Sequence, residues 1–164
     1  MPPVCTVSCR LEHPKHQVST ETPPSFPPGS QPPDDPWFYD IPHSTPQLTI
    51  KFRDFAHDPF RSETSVYNVF VKAFVKASGP RRQGKRLREP QIEKSGRVSL
   101  VVEPQRPHRL LPFTYGSWLT ALRGLYSFAR AYPALDFSFE VYGYQERVPD
   151  AEFYLAYGWL HNKH

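Results

Sequence analysis

Apolar and polar residues alternate over 47–55, where Leu48, Ile50 and Phe52 interleave with Thr49, Lys51 and Arg53. A period of two marks a strand with one buried face. The period then lengthens. Val66, Val69, Phe70, Ala73, Phe74 and Ala77 recur at three- and four-residue steps, the stripe of an amphipathic helix. Ser62 stands where an N-cap belongs, Glu63 suits the positive end of the helix dipole, and Gly79-Pro80 closes the segment. Alternation returns in 97–103 through Val98, Leu100 and Val102. A second helix follows, capped by Thr114, with Trp118, Ala121, Leu122, Leu125, Phe128, Ala129 and Tyr132 on its inner face and Pro133 as its stop. Gly124 lowers helix propensity there, which close approach to a sheet would explain.

Two more strands end the pattern. Leu135, Phe137, Phe139 and Val141 alternate with Asp136, Ser138 and Glu140, and 152–160 places Phe153, Leu155, Tyr157 and Trp159 on one face. The short polar turn between them predicts an antiparallel hairpin. The order β-α-β-α-β-β, each element apolar on one side, predicts an α+β two-layer sandwich: one four-stranded sheet with both helices on the same face. Trp118, Phe137, Phe139, Phe153, Tyr157 and Trp159 fall at core spacings.

Composition divides the chain. Twelve of the 20 prolines lie in residues 1–46. Proline removes amide donors and favours extended backbone, so 1–46 is expected to be a disordered proline-rich tail and 47–161 the α+β domain. Within the tail, Trp37-Phe38-Tyr39 is expected to dock on the domain as an anchored arm or to serve as an exposed peptide for a partner.

The formal net charge is +4. Residues 79–94 hold six Lys/Arg and two Glu, and so carry all of it. Arg81, Arg82, Lys85, Arg86 and Arg88 concentrate it within a basic loop at 80–96. Such runs occur as nuclear localisation signals, as nucleic-acid patches, or simply as solvated loops.

Cys5 and Cys9 both lie in the tail, so the domain needs no disulfide and suits a reducing compartment. With His13 and His16 they form C-x3-C-x3-H-x2-H. The ligand types suit zinc, but the pairs lie too close for a finger and Pro14 interrupts the histidines, so metal binding is not the expectation. The chain shows no export signal and no membrane-length apolar run. That predicts a cytoplasmic or nuclear protein, secretion entering only if the true N-terminus is missing.

Hydrolase, zinc-protease and phosphate-loop motifs are absent from the sequence. Asp54, His57 and Asp58 cluster after the first strand without a nucleophile, the pattern of a turn. The outward strand positions Thr49, Lys51, Arg53, Ser99, Val101, Asp136, Ser138, Glu140, Tyr142, Glu152 and Tyr154 supply two tyrosines but three carboxylates, a poor surface for stacking nucleic-acid bases.

The stretch Tyr115-Gly116-Ser117-Trp118-Leu119-Thr120-Ala121-Leu122-Arg123-Gly124-Leu125, followed by 135–141, resembles small uncharacterised fungal α+β proteins over about residues 47–160. In these a W-x-x-x-L-x-G-L helix precedes an F-x-x-x-V strand. The resemblance implies the fold and a secreted, effector-like setting, and supplies no catalytic residues. The chain departs from it in its tail, its basic loop and its lack of an export signal. The expectation is a non-enzymatic interaction protein of fungal type, without cofactor, displaying Trp37–Tyr39 and the 80–96 loop to a protein partner. The alternative is a nucleic-acid-associated or nuclear protein acting through residues 81–88.

Overall fold

A computed structural model describes residues 31–106, 110–145 and 151–163. The elements run β1 (Trp37–Asp40), β2 (Gln47–His57), α1 (Glu63–Ala77), β3 (Gln91–Ser95), β4 (Val98–Pro104), α2 (Tyr115–Ala131), β5 (Leu135–Tyr144) and β6 (Glu152–Asn162). Both helices start at the caps visible in the sequence. Ser62 Oγ accepts from Ser65 N at 3.2 Å and Thr114 Oγ1 from Ser117 N at 3.1 Å, each satisfying an amide that the helix leaves free.

The strands form one antiparallel sheet in the order β1-β2-β5-β6-β4-β3. The class is α+β, and the expected four-stranded sheet is corrected to six strands. The two added strands are short and carry weak patterns. β1 has four residues. β3 reverses the usual alternation, exposing Ile92 and burying Glu93. Lys76 Nζ of α1 lies 2.5 Å from Glu93 Oε1, so this edge strand meets its helix through an ion pair instead of apolar burial.

α1 packs on β3, β4 and α2, and α2 also packs on β2. Beneath the helices, Ile50 pairs with Val141 and Val141 with Ala156; Phe52 pairs with Phe139 and Phe139 with Gly158. Phe52 and Phe128 stack at 4.0 Å, and the fully buried set includes Trp118, Phe137 and Leu160. Burial of this apolar area is the main stabilising term, at about 25 cal/mol per Å².

The inward face expected for the last strand is also corrected. Val141 pairs with Ala156 but Tyr142 with Tyr154, so Leu155 is an extra residue in a bulge. Beyond it the alternation flips. Phe153 packs on the core, whereas Tyr157 and Trp159 pair with Glu140 and Ser138 on the opposite face. A second irregularity interrupts β2 between Arg53 and Ala56, where Asp54 adopts φ 57°.

Glycine permits two close approaches. A Cβ on Gly124 would lie 2.9 Å from Ile50 Cδ1, so α2 sits down on β2 as its glycine suggested. At Gly158 a Cβ would collide with the carbonyl oxygen of Val101 and with the Phe139 ring.

One buried cation joins the far end of α2 to the sheet. The Arg61 side chain is fully buried. It donates from Nε to Pro133 O at 2.8 Å, from Nη2 to Tyr132 O at 3.0 Å, and from Nη1 to Leu135 O and Asp136 Oδ1. Burial pushes the guanidinium pKa down, and Asp136, Asp58 and Glu63 oppose that shift. Asp136 also accepts from Asn162 N at 2.9 Å, while Asn162 Nδ2 donates to Asp58 at 2.6 Å. His57 and Asp58 thus border a structural corner, where Asp58 also caps the turn by accepting from Phe60 N.

Two stability predictions follow from these contacts. Arg61→Met strands Asp136 and the carbonyls and is expected to cost about 3–5 kcal/mol in urea unfolding. Gly158→Ala forces β6 away from β4 and is expected to cost about 1–3 kcal/mol in the same measurement; an unchanged midpoint in either variant would refute the corresponding packing argument.

Candidate functional site

The basic segment is pinned in place. Leaving α1, the chain makes two tight turns: Arg82 N donates to Gly79 O and Lys85 N to Arg82 O, both at 2.8 Å. It then runs against the start of α2. Leu87 N donates to Phe113 O at 2.8 Å, Tyr115 N to Lys85 O at 3.0 Å and Gly116 N to Gln83 O at 2.9 Å. Leu87 is buried, and Arg86 bridges Thr114. Arg82 Nη1 donates to Lys76 O at 3.0 Å, and its guanidinium lies 5.8 Å from the Tyr115 ring. Arg82 therefore fastens the platform to both helices.

These bonds decide what kind of anion site the platform offers. The first amides of α2 would ordinarily attract an anion, but the Lys85 and Gln83 carbonyls take two of them and the Thr114 hydroxyl a third. Anion chemistry falls to side chains. Arg81, Lys85, Arg86 and Arg88 are exposed, and among the described residues none forms an ion pair with a carboxylate.

The positive surface extends along α2, which carries no Asp or Glu. Gly116, Arg123 and Arg130 recur every seven residues and share a face, spanning about 21 Å at 1.5 Å per residue. Arg123 and Arg130 are exposed, and Arg130 lies 5.8 Å from the Tyr126 ring. Sequence reasoning omitted both arginines. Their heptad spacing on a carboxylate-free helix was the available signal.

The other proposed display element is largely internal. Trp37 and Tyr39 of β1 face the helices and pack on the core, Trp37 stacking on Phe52 at 5.6 Å and Phe128 at 5.5 Å. Only Phe38 turns outward, 55% exposed, with Lys51 Nζ 5.8 Å from its ring. Cys5, Cys9, His13, His16 and His108 lie outside the described residues. Among the described residues no three His, Cys, Asp or Glu side chains gather as a metal site. No helix there is long and apolar enough to cross a membrane.

The sheet face away from the helices is aromatic but carboxylate-bearing. Tyr142 and Tyr154 pack at 5.3 Å, Tyr157 and Trp159 at 5.6 Å, and Arg53 lies 5.6 Å from the Tyr157 ring. Glu140 sits among them. It accepts from Tyr142 Oη at 2.6 Å and pairs with Lys51 at 3.3 Å and Arg53 at 3.1 Å. Both cations of this part of the face are thereby engaged. Burial pushes the Glu140 carboxyl up, but the Tyr142 hydroxyl, Lys51 and Arg53 together outweigh it and hold the carboxyl below its usual range. Burial and the Glu152 carboxylate push Tyr144 at the sheet's end up to about 12.

No family model matches the chain, and no curated protein or solved structure matches it either.

Glu140 yields a pH prediction. Its pKa is lower folded than unfolded, so its stabilisation is present above the unfolded carboxylate range near about 4.3 and lost as pH falls through the folded value. Denaturant titrations from neutral to acid pH are expected to show this loss, and Glu140→Gln is expected to flatten that limb. An identical acid limb in the variant would assign the loss to other groups.

Proposed function

We propose that this chain is a non-enzymatic binding domain that takes the phosphate backbone of a nucleic acid on its helix side, through the 81–88 platform. The observation that carries this reading is the set of four exposed, carboxylate-free cations, Arg81, Lys85, Arg86 and Arg88, on a segment fixed by backbone hydrogen bonds to the start of α2. A pinned segment loses less chain entropy on binding than a free loop. Cations without internal partners neutralise phosphates without first breaking an ion pair. Arg123 and Arg130 continue the same sign along a helix that has no acid. A protein partner is the second reading; the Tyr142, Tyr154, Tyr157 and Trp159 face favours it.

Fluorescence anisotropy of labelled DNA and RNA across salt concentrations tests the proposal. Four phosphate contacts to a single strand predict a loss of affinity on the order of fifty-fold between 50 and 200 mM salt. Replacing Arg81, Lys85, Arg86 and Arg88 by alanine, with the fastening Arg82 kept, is expected to remove most binding and most of the salt dependence. No binding by the unaltered chain at low salt would overturn the reading and pass the role to the sheet face.

A further inference from the structure

The groove between α1 and α2 lies at the opposite end of the helix layer from the platform. It measures about 270 Å³ and is lined by Glu63, Val66, Tyr67, Tyr126, Ala129 and Arg130, among others. Tyr67 is 54% exposed, and its ring meets Tyr126 at 6.3 Å. Phe70 supports Tyr126 from below at 5.3 Å. Arg130 closes the wall over Tyr126. This is an accessible aromatic ring backed by a second ring and flanked by a guanidinium.

We propose that this groove receives an unpaired base of a single-stranded nucleic acid whose backbone runs along α2 from the 81–88 platform. The proposal rests on the platform reading and adds the strandedness of the ligand. Three features single out a base. At about 270 Å³ the groove lies at the lower end of the ~300–1,000 Å³ range of small-molecule pockets and has room for one planar ring. Tyrosine offers a π-face that any base stacks on, worth about 1–3 kcal/mol per base. The cations that would follow the backbone lead from platform to groove, Arg123 about 10 Å along the helix from Gly116 and Arg130, on the groove wall, about 21 Å. Glu63 at the groove repels a phosphate but accepts a hydrogen bond from a base N–H, such as thymine N3–H. Positive charge tracks the helix while the single acid sits where a base, and not backbone, would lie. The aromatic sheet face lacks this arrangement, because Glu140 already engages Lys51 and Arg53.

The test measures the full chain against a twelve-residue oligothymidine, an abasic twelve-mer of equal charge, a twelve-base-pair duplex and a polyglutamate of matched charge. The unaltered chain is expected to prefer oligothymidine over the abasic strand and the duplex by about tenfold or more. Tyr67→Ala is expected to reduce oligothymidine affinity to that of the abasic strand while leaving the salt slope unchanged. Tyr67→Phe, which keeps the ring, is expected to retain the preference and so separates stacking from any effect on folding. The platform variant is expected to weaken both strands together and flatten the slope. If that variant behaves so but Tyr67→Ala leaves oligothymidine binding intact, the groove assignment is overturned and the platform reading stands. Duplex binding equal to oligothymidine, or polyglutamate binding with the same Tyr67 dependence, also overturns it. If the unaltered chain binds no nucleic acid, both readings fall.

Discussion

A guanidinium with no exposed surface holds three pieces of backbone together. Arg61 lies in the corner between β2 and α1, yet its partners are Tyr132, Pro133, Leu135 and Asp136, where α2 ends and β5 begins. A helix C-terminus leaves carbonyls without partners, and its dipole favours a cation there. One side chain answers both demands and ties the first half of the chain to the second. Asp136 and Asp58 pass the constraint on to Asn162 at the end of β6. The placement of α2 over the sheet, and with it the direction in which its outer arginines face, depends on this corner.

The elements with strong periodicity were legible. Ser62 and Thr114 marked both helix starts, and the Leu48–Phe52 and Leu135–Val141 alternations marked the inner strands. Gly124 announced the close approach of α2 to β2. The edge strands were not legible, because an edge need not be apolar on its inner side. β3 buries Glu93 against Lys76 and exposes Ile92, the inverse of the pattern that identifies a strand. β1 is four residues long, too short for a period to show. The bulge at Leu155 defeated a simple period-two reading of β6 and moved Tyr157 and Trp159 from core to surface.

The candidate site was legible in its charge and hidden in its geometry. The run from Arg81 to Arg88 is plain in the sequence, but its attachment to 113–116 joins segments some thirty residues apart. That attachment fixes the basic loop against the start of α2. Arg123 and Arg130 look like ordinary solvent-facing residues until the helix is placed beside Tyr67. Trp37 and Tyr39 dock on the domain, one of the two outcomes expected of the arm, facing inward as part of the sheet, so that of the three aromatics only Phe38 is on display.

β1 has a consequence beyond its own contacts. β2 is an eleven-residue strand, and along one side its stretch 49–52 depends on those four residues for partners. Long unpaired edges recruit strands from other chains. A protease cut that released Trp37–Asp40 would uncover Phe52 and Phe128 on the core side and at the same time bare a template for intermolecular sheet growth. The proline-flanked segment that composition assigns to the tail therefore guards the fold's colloidal behaviour.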